Sequence, residues 1–351
     1  MKRSVILWLI VLFSFPTFLA FSQWTLKEII LPFPKGTTIN KAIWNGKNLF
    51  LLGESNAKKA IFGKFDLFSN KFVDLSNLLP SSYISLNGGT WNGKELFLVG
   101  IGSKKAVMAK YTPSTNSFND LTVKMPRYWE YNLAASSNGK ILVVVGESAS
   151  GSVVMGTYNI SNGIFSDHLN EINEIGFLNS ISTNKKSFLA VGKKTTMPQR
   201  ALIFSYDPSF KKITNLSTFT ANSTNYLLGL KDVVWDGKEY LFVGDSAFGR
   251  YKDNFEDLSY KLKDIHLLSF PANSKYEYGK LNGIEYEDGI CVLFGNGLLA
   301  VYNLKNGVIK GVKSFIDKYK YVSLESVAWD GKEFFIVGNE NGNIKAFILK
   351  P

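Results

Sequence analysis

The sequence predicts an all-β fold, a seven-bladed β-propeller with four antiparallel strands per blade. Three observations predict it: a hairpin signature recurs along the whole chain, its period is that of one propeller blade, and the chain ends carry complementary parts of one incomplete copy. The clearest copies are Trp44-Asn45-Gly46-Lys47, Trp91-Asn92-Gly93-Lys94, Trp235-Asp236-Gly237-Lys238 and Trp329-Asp330-Gly331-Lys332. Each precedes an apolar run that closes on a glycine, at Gly53, Gly100, Gly244 and Gly338. Asn-Gly or Asp-Gly between apolar runs is a strong hairpin signal and predicts a type I′ turn, with positive φ at both central residues. Weaker copies begin at Ser137, Thr183 and Tyr286 and close on Gly146, Gly192 and Gly295.

With the residue before each turn as marker, the copies fall at 44, 91, 137, 183, 235, 286 and 329, so successive spacings are 47, 46, 46, 52, 51 and 43. Each unit continues with a third apolar strand, a polar turn and a fourth strand, as in Ala106–Tyr111, the turn Thr112–Asn116, and Phe118-Asn119-Asp120-Leu121. After the seventh hairpin only one strand remains, Asn343 to Lys350. The missing fourth strand is predicted at the other end, where Trp24-Thr25-Leu26-Lys27-Glu28-Ile29-Ile30-Leu31-Pro32 aligns with Phe72 to Pro80. Pairing these ends removes an exposed sheet edge.

The Tyr/Phe-Asp turns (Phe65-Asp66, Tyr206-Asp207-Pro208), the aromatic-x-Asp-Leu strands and the closing Met125-Pro126 resemble the kelch and galactose-oxidase class of propellers, across all seven units. A single glycine follows the second strand where kelch repeats usually carry a pair. The resemblance implies the propeller architecture; a copper centre like that of galactose oxidase needs more histidine than His168 and His266.

Residues 1–22 read as a signal peptide: Lys2 and Arg3, the apolar run Val5 to Phe13, a break at Pro16, and small residues at Ala20 and Ser22. An uncleaved membrane anchor is the alternative, and either way the domain 23–351 is expected to be secreted or at the cell surface. Cys291 is the sole cysteine, within an apolar strand, so packing rather than a disulfide must hold the fold. Sequons occur at Asn159, Asn215 and Asn222. The formal net charge of +11 suits anionic partners, although the abundant Lys, Asn, Ile, Phe and Tyr also share A/T-rich codons.

By analogy with other propellers, the ligand face is the one formed by loops between blades and between second and third strands. Its between-blade loops carry Tyr83, Tyr128, Trp129, Tyr131, Phe177, Tyr226, Tyr276, Tyr278, Tyr319 and Tyr321. Its other loops carry Lys58, Lys59, Lys104, Lys105, Lys193, Lys194 and Arg200. Aromatic faces beside cations fit a glycan or a protein partner. Four residues before the marker stand Asn40, Asn87, Leu133, Asn179, Lys231, Asn282 and Glu325, with Lys41, Ser180, Asp232 and Ser326 one place on, a polar ring expected around the upper channel. Such a ring holds a ligand or binds ordered water and satisfies buried backbone. The longest insertion, Asp264 to Lys280, is where individuality is expected.

No phosphate loop, Gly-x-Ser-x-Gly elbow, His-Glu-x-x-His or nucleic-acid motif is present, and no metal or cofactor is implied. The sequence therefore reads as an exported, monomeric binding or scaffold module for a glycan or protein, with a membrane contact expected only if the N-terminal segment stays attached. The alternatives are a carbohydrate-active hydrolase or lyase using Asp232 and Glu325, and a structural subunit of a surface assembly.

Overall fold

The computed structural model describes residues 24–67, 69–220, 229–266 and 280–351. The signal segment, the sequon at Asn222, Tyr226, Tyr276 and Tyr278 lie outside the described residues, as does most of the insertion. The strands form seven separate four-stranded antiparallel sheets, one per repeat, giving a seven-bladed propeller. In blade 1 the order is Thr38–Trp44, Leu49–Glu54, Ala60–Asp66 and Lys71–Asp74. First strands of consecutive blades neighbour one another around the ring, so they line the channel. Second strands such as Leu49-Phe50-Leu51-Leu52 are buried on both faces, which is why they read as continuous apolar runs. The core lies between blades: Phe50 and Phe62 of blade 1 enclose Tyr111 of blade 2, with ring centroids 5.9 and 5.1 Å away.

The ring closes as the chain ends imply. Thr25–Ile29 is the outer strand of the last blade, antiparallel to Asn343–Lys350. The register differs from the sequence alignment by two residues. Leu26 opposes Leu349 as Phe72 opposes Phe65, so Leu26, Glu28 and Pro34 occupy the places of Phe72, Asp74 and Pro80. Aromatic-to-aromatic matching misplaced it because Trp24 precedes the strand and packs on Phe334, 6.3 Å between centroids. An offset of two keeps every side chain on its face, so the pairing itself was unaffected.

The hairpins are present, but their turns differ from the type I′ expectation. Trp44 opposes Leu49, Trp91 opposes Leu96 and Trp329 opposes Phe334, leaving four-residue loops. In these three, positive φ occurs only at the glycine, +91° at Gly46, +97° at Gly93 and +99° at Gly331. The preceding residue acts through its side chain instead: Asn45 Oδ1 accepts the Lys47 and Asn48 N–H groups at 3.0 and 2.7 Å, and Asp330 Oδ1 those of Lys332 and Glu333 at 2.8 and 2.7 Å. Only blade 6 makes the two-residue turn, with φ +43° at Asp288 and +80° at Gly289.

The glycine closing each second strand has a separate cause. At Gly53, Gly100 and Gly295 it sits opposite a β-bulge in the first strand, where the partner carbonyl comes so close that an added Cβ would lie 1.9 Å from Thr38 O, 2.0 Å from Ser85 O and 1.8 Å from Lys280 O respectively. Gly100→Ala is therefore expected to destabilise by more than about 4 kcal/mol, and Gly93→Ala, with open space but positive φ, by about 1–2 kcal/mol. Urea unfolding of both variants measures the difference; equal losses would remove the bulge explanation.

Candidate functional site

Every polar-ring position except that of Lys231 proves to be the extra residue of a bulge in a channel-lining strand. Pairing skips Asn40, Asn87, Leu133, Asn179, Asn282 and Glu325, while Lys231 sits just before the shorter strand Asp232–Trp235 of blade 5. The bulge turns the side chain toward the next blade. Asn40 Nδ2 donates to Leu86 O at 3.0 Å, Asn179 Nδ2 to Leu230 O at 2.7 Å, and Asn282 Nδ2 to Leu324 O at 2.9 Å. Ser85 donates its hydroxyl to Asn87 Oδ1 at 2.8 Å. These amides are staples between blades, each satisfying a carbonyl of the next blade.

One place on, Asp232 spans three blades. Its Oδ1 accepts the Ser180 hydroxyl at 2.5 Å and its own Val233 N–H at 2.9 Å, and its Oδ2 accepts Ile284 N–H at 3.0 Å. Ser326 Oγ likewise accepts Ala42 N–H at 3.0 Å, from blade 7 to blade 1. Glu325 Oε1 accepts the Ser323 hydroxyl at 2.6 Å; burial raises its carboxyl above the usual range, opposed by that hydrogen bond and by the Lys231 charge. Lys231 itself faces Asp245 at 4.0 Å, a carboxylate shared with Lys280 at 3.7 Å.

The sequence reading missed Glu285. It lies one residue before the marker, where the other blades carry Ile43, Thr90, Ser136, Ser182, Val234 and Ala328. Burial pushes its carboxyl up to about 7, Lys41 pulls it back, and Asp232 and Glu287 add to the rise. A lone ionisable residue among apolar and hydroxyl residues is the signal that could have found it. Among the described residues no group of His, Cys, Asp and Glu could hold a metal ion.

The aromatic face is smaller than the sequence suggested. Trp129 opens the first strand of blade 3 and is fully buried, edge-on to Phe165 at 5.5 Å. Tyr319 is buried against Phe347, 4.8 Å between centroids. Neither can meet a ligand. Three tyrosines instead make one latch, each joining the connection that leads into a blade to the carboxylate near the end of that blade's outer strand. Tyr83 donates to Asp120 Oδ1 at 2.8 Å, Tyr319 to Glu28 Oε2 at 2.8 Å, and Tyr128 to Asp167 Oδ2. Lys345 completes the last, 2.9 Å from Glu28 Oε1, and together Lys345 and Tyr319 hold the Glu28 carboxyl below its usual range against burial.

Tyr128 keeps 43% of its surface and Tyr321 54%, with Lys320 Nζ 4.9 Å over the Tyr321 ring. Tyr131 is partly buried, its hydroxyl pushed up by Glu130. Of the loop cations, Lys105 donates to Thr122 O and Met125 O at 2.7 and 3.0 Å and Lys194 pairs with Glu174 at 3.1 Å, while Lys58, Lys59 and Lys104 are exposed. The sequence reading also missed the exposed apolar residues of this face: Val123, Ile175, Met197, Phe219 and Tyr260. An open groove of about 700 Å³ lies at the seam of blades 7 and 1, floored by Ile29, Phe65, Leu67 and Ile348. Asn159 and Asn215 cap turns, accepting the Ser161 and Ser217 N–H groups at 3.0 and 2.9 Å.

These features define a seven-bladed propeller whose channel polarity is spent on joining blades. No protein-family model matches the chain, and no curated protein sequence matches it. Among solved structures it is similar to Kuenenia stuttgartiensis hydrazine synthase, at 10% identity and a TM-score of 0.59 over 91% of this chain and 96% of that one. At that identity the likeness is one of fold.

Two outcomes follow from the geometry. Tyr83→Phe is expected to lower stability by about 2 kcal/mol, since it removes a hydroxyl from a carboxylate in a buried setting; denaturant unfolding measures it. Glu285 has a folded pKa of about 7 against 4.5 for the free group, so the folded state holds its proton more tightly. The stability it contributes is present below pH 4.5 and lost as pH rises to 7. Glu285→Gln is therefore expected to be the more stable protein at pH 8, by up to about 3 kcal/mol, with the advantage vanishing near pH 4. Parallel Tm curves for the two proteins across that range would contradict it.

Proposed function

We propose that this chain is an exported or cell-surface propeller that binds or scaffolds a glycan or protein partner on the face formed by its between-blade and second-to-third-strand loops. The observation that carries the reading is the set of exposed side chains there, with Val123, Tyr128, Met197, Tyr260 and Tyr321 standing among Lys58, Lys59, Lys104 and Lys320. Rigid aromatic and apolar area beside cations supplies both contact surface and donors. Exposed apolar groups gathered on one face mark an interaction site. The kelch and galactose-oxidase resemblance is the family reading that goes with this proposal, and it rests on the repeat pattern alone. The acid/base alternative is weakened by Asp232, whose oxygens accept three hydrogen bonds.

A glycan array probed with residues 24–351 tests the reading. Saturable binding is expected, weakened about tenfold by Tyr128→Ala or Tyr321→Ala. Binding that ignores both substitutions would place the ligand elsewhere, and absence of any glycan binding at low salt would favour a protein partner or a structural role.

A further inference from the structure

The face opposite the loops carries a second pattern, set by the hairpin turns themselves. Six of the seven turns place a lysine two residues after the capping Asn or Asp: Lys47, Lys94, Lys140, Lys186, Lys238 and Lys332, all exposed. These turns join the two innermost strands of each blade, so the lysines ring the channel mouth. The fold does not demand them. What the turn uses is the backbone N–H of that residue, which any residue except proline provides, and the residue that follows varies freely, from Asn48 and Glu95 to Ile141 and Ser187. With 40 basic residues in 351, chance would place about one in seven such positions.

The ring also keeps its charge. Beside it Glu95 is neutralised by Lys110 at 2.8 Å, Glu239 by Arg250 at 3.0 Å and Glu333 by Lys350 at 2.5 Å, while the seventh turn carries Glu287 and Asp288 in place of a lysine. The Asp236 and Asp330 carboxylates accept turn N–H groups. None of the six ring lysines makes an ion pair within 4.0 Å among the described residues. Outside the ring, on the outer turns of this same face, stand Ile164 (59% exposed), Phe210 (80%) and Val308 (38%).

We propose that this face rests on an anionic phospholipid bilayer. Lysines, as flexible hydrated point charges, suit a diffuse field of headgroups better than bidentate recognition of one anion. Six charges in a planar ring meet a flat surface together, whereas a linear polyanion must bend round the ring to do so. The apolar residues at the rim can enter the headgroup layer while the lysines hold the phosphates. The chain's own path agrees. Thr25 opposes Lys350, whose side chain reaches the Glu333 turn, so the first described strand enters its sheet from the lysine side. The proposal leaves the loop face turned away from the bilayer and free for its partner, and it stands independently of the reading of that face.

The test is co-sedimentation of residues 24–351, which contain every strand of the ring, with phosphatidylcholine vesicles with and without about 30 mol% phosphatidylglycerol. Binding is expected only to the anionic vesicles and is expected to fall steeply between low salt and 0.5 M salt, where the screening length is down to about 4 Å. Each Lys→Gln change in the ring should lower the partition coefficient about fivefold, so that the six-fold variant no longer sediments. A variant with Lys58, Lys59, Lys104, Lys124, Lys313 and Lys320, all exposed, changed to Gln removes equal charge from the loop face and should bind as the parent does. Circular dichroism confirms that both variants stay folded, as exposed substitutions should. Equal loss in the two variants would reduce the effect to net charge and overturn the proposal. So would absence of vesicle binding at low salt, or retention on a heparin column lost with the ring lysines while vesicles are ignored, which would make the ligand a soluble polyanion.

Discussion

The fold depends on one act of backbone pairing, between Thr25–Ile29 and Ala346–Lys350. A propeller blade buries its faces against its neighbours, so an open ring would leave the faces of two blades unpacked and the outer edge of the last blade's third strand unpaired. The closing strand is short, and its grip is reinforced by side chains. Tyr319 and Lys345 converge on Glu28, and this is the same tyrosine–carboxylate latch that Tyr83 and Asp120 make inside blade 2. The seam thus repeats the chemistry of an ordinary blade with a covalent break in it.

The same economy governs the channel. Where the bulged residue is Asn40, Asn179 or Asn282, its amide caps a carbonyl of the next blade, as Asn40 does for Leu86 O and Asn282 for Leu324 O. The bulge also forces the glycine on the facing strand, so two features that look independent in the sequence have one cause. These amides are committed to the scaffold, joining one blade to the next. The charged groups of the channel face one another instead, Lys231 toward Asp245 and Lys41 toward Glu285.

Blade number, strand order and ring closure were legible because they rest on apolar periodicity and a repeated turn, both local properties of the chain. The polar ring was legible as a position, since Asn40, Asn87, Asn179 and Asn282 share one offset from the marker. What those residues do was not, because the acceptor belongs to another blade 46 residues away for Asn40 and 51 for Asn179. The turn type was misread because Asn-Gly has two uses, and only the register shows that four residues separate Trp44 from Leu49. Trp129 was misassigned for a similar reason. Whether an aromatic lies in the last residue of a loop or the first of a strand decides between ligand contact and core, and composition is blind to that one-residue difference.

The two faces of the disc follow different rules. On the loop face connections vary in length, so side chains such as Met197 and Tyr260 are individual and unrelated by the repeat, as suits a surface selected for one partner. On the turn face the loops are held to the same length by the hairpin in six of seven blades, and what they present is repeated with it. Symmetric presentation of like charge is suited to a target that is itself uniform over the width of the protein, and a headgroup layer has that property where a folded partner does not. The N-terminal strand shares this direction, since it enters from the turn face and leaves toward the loops.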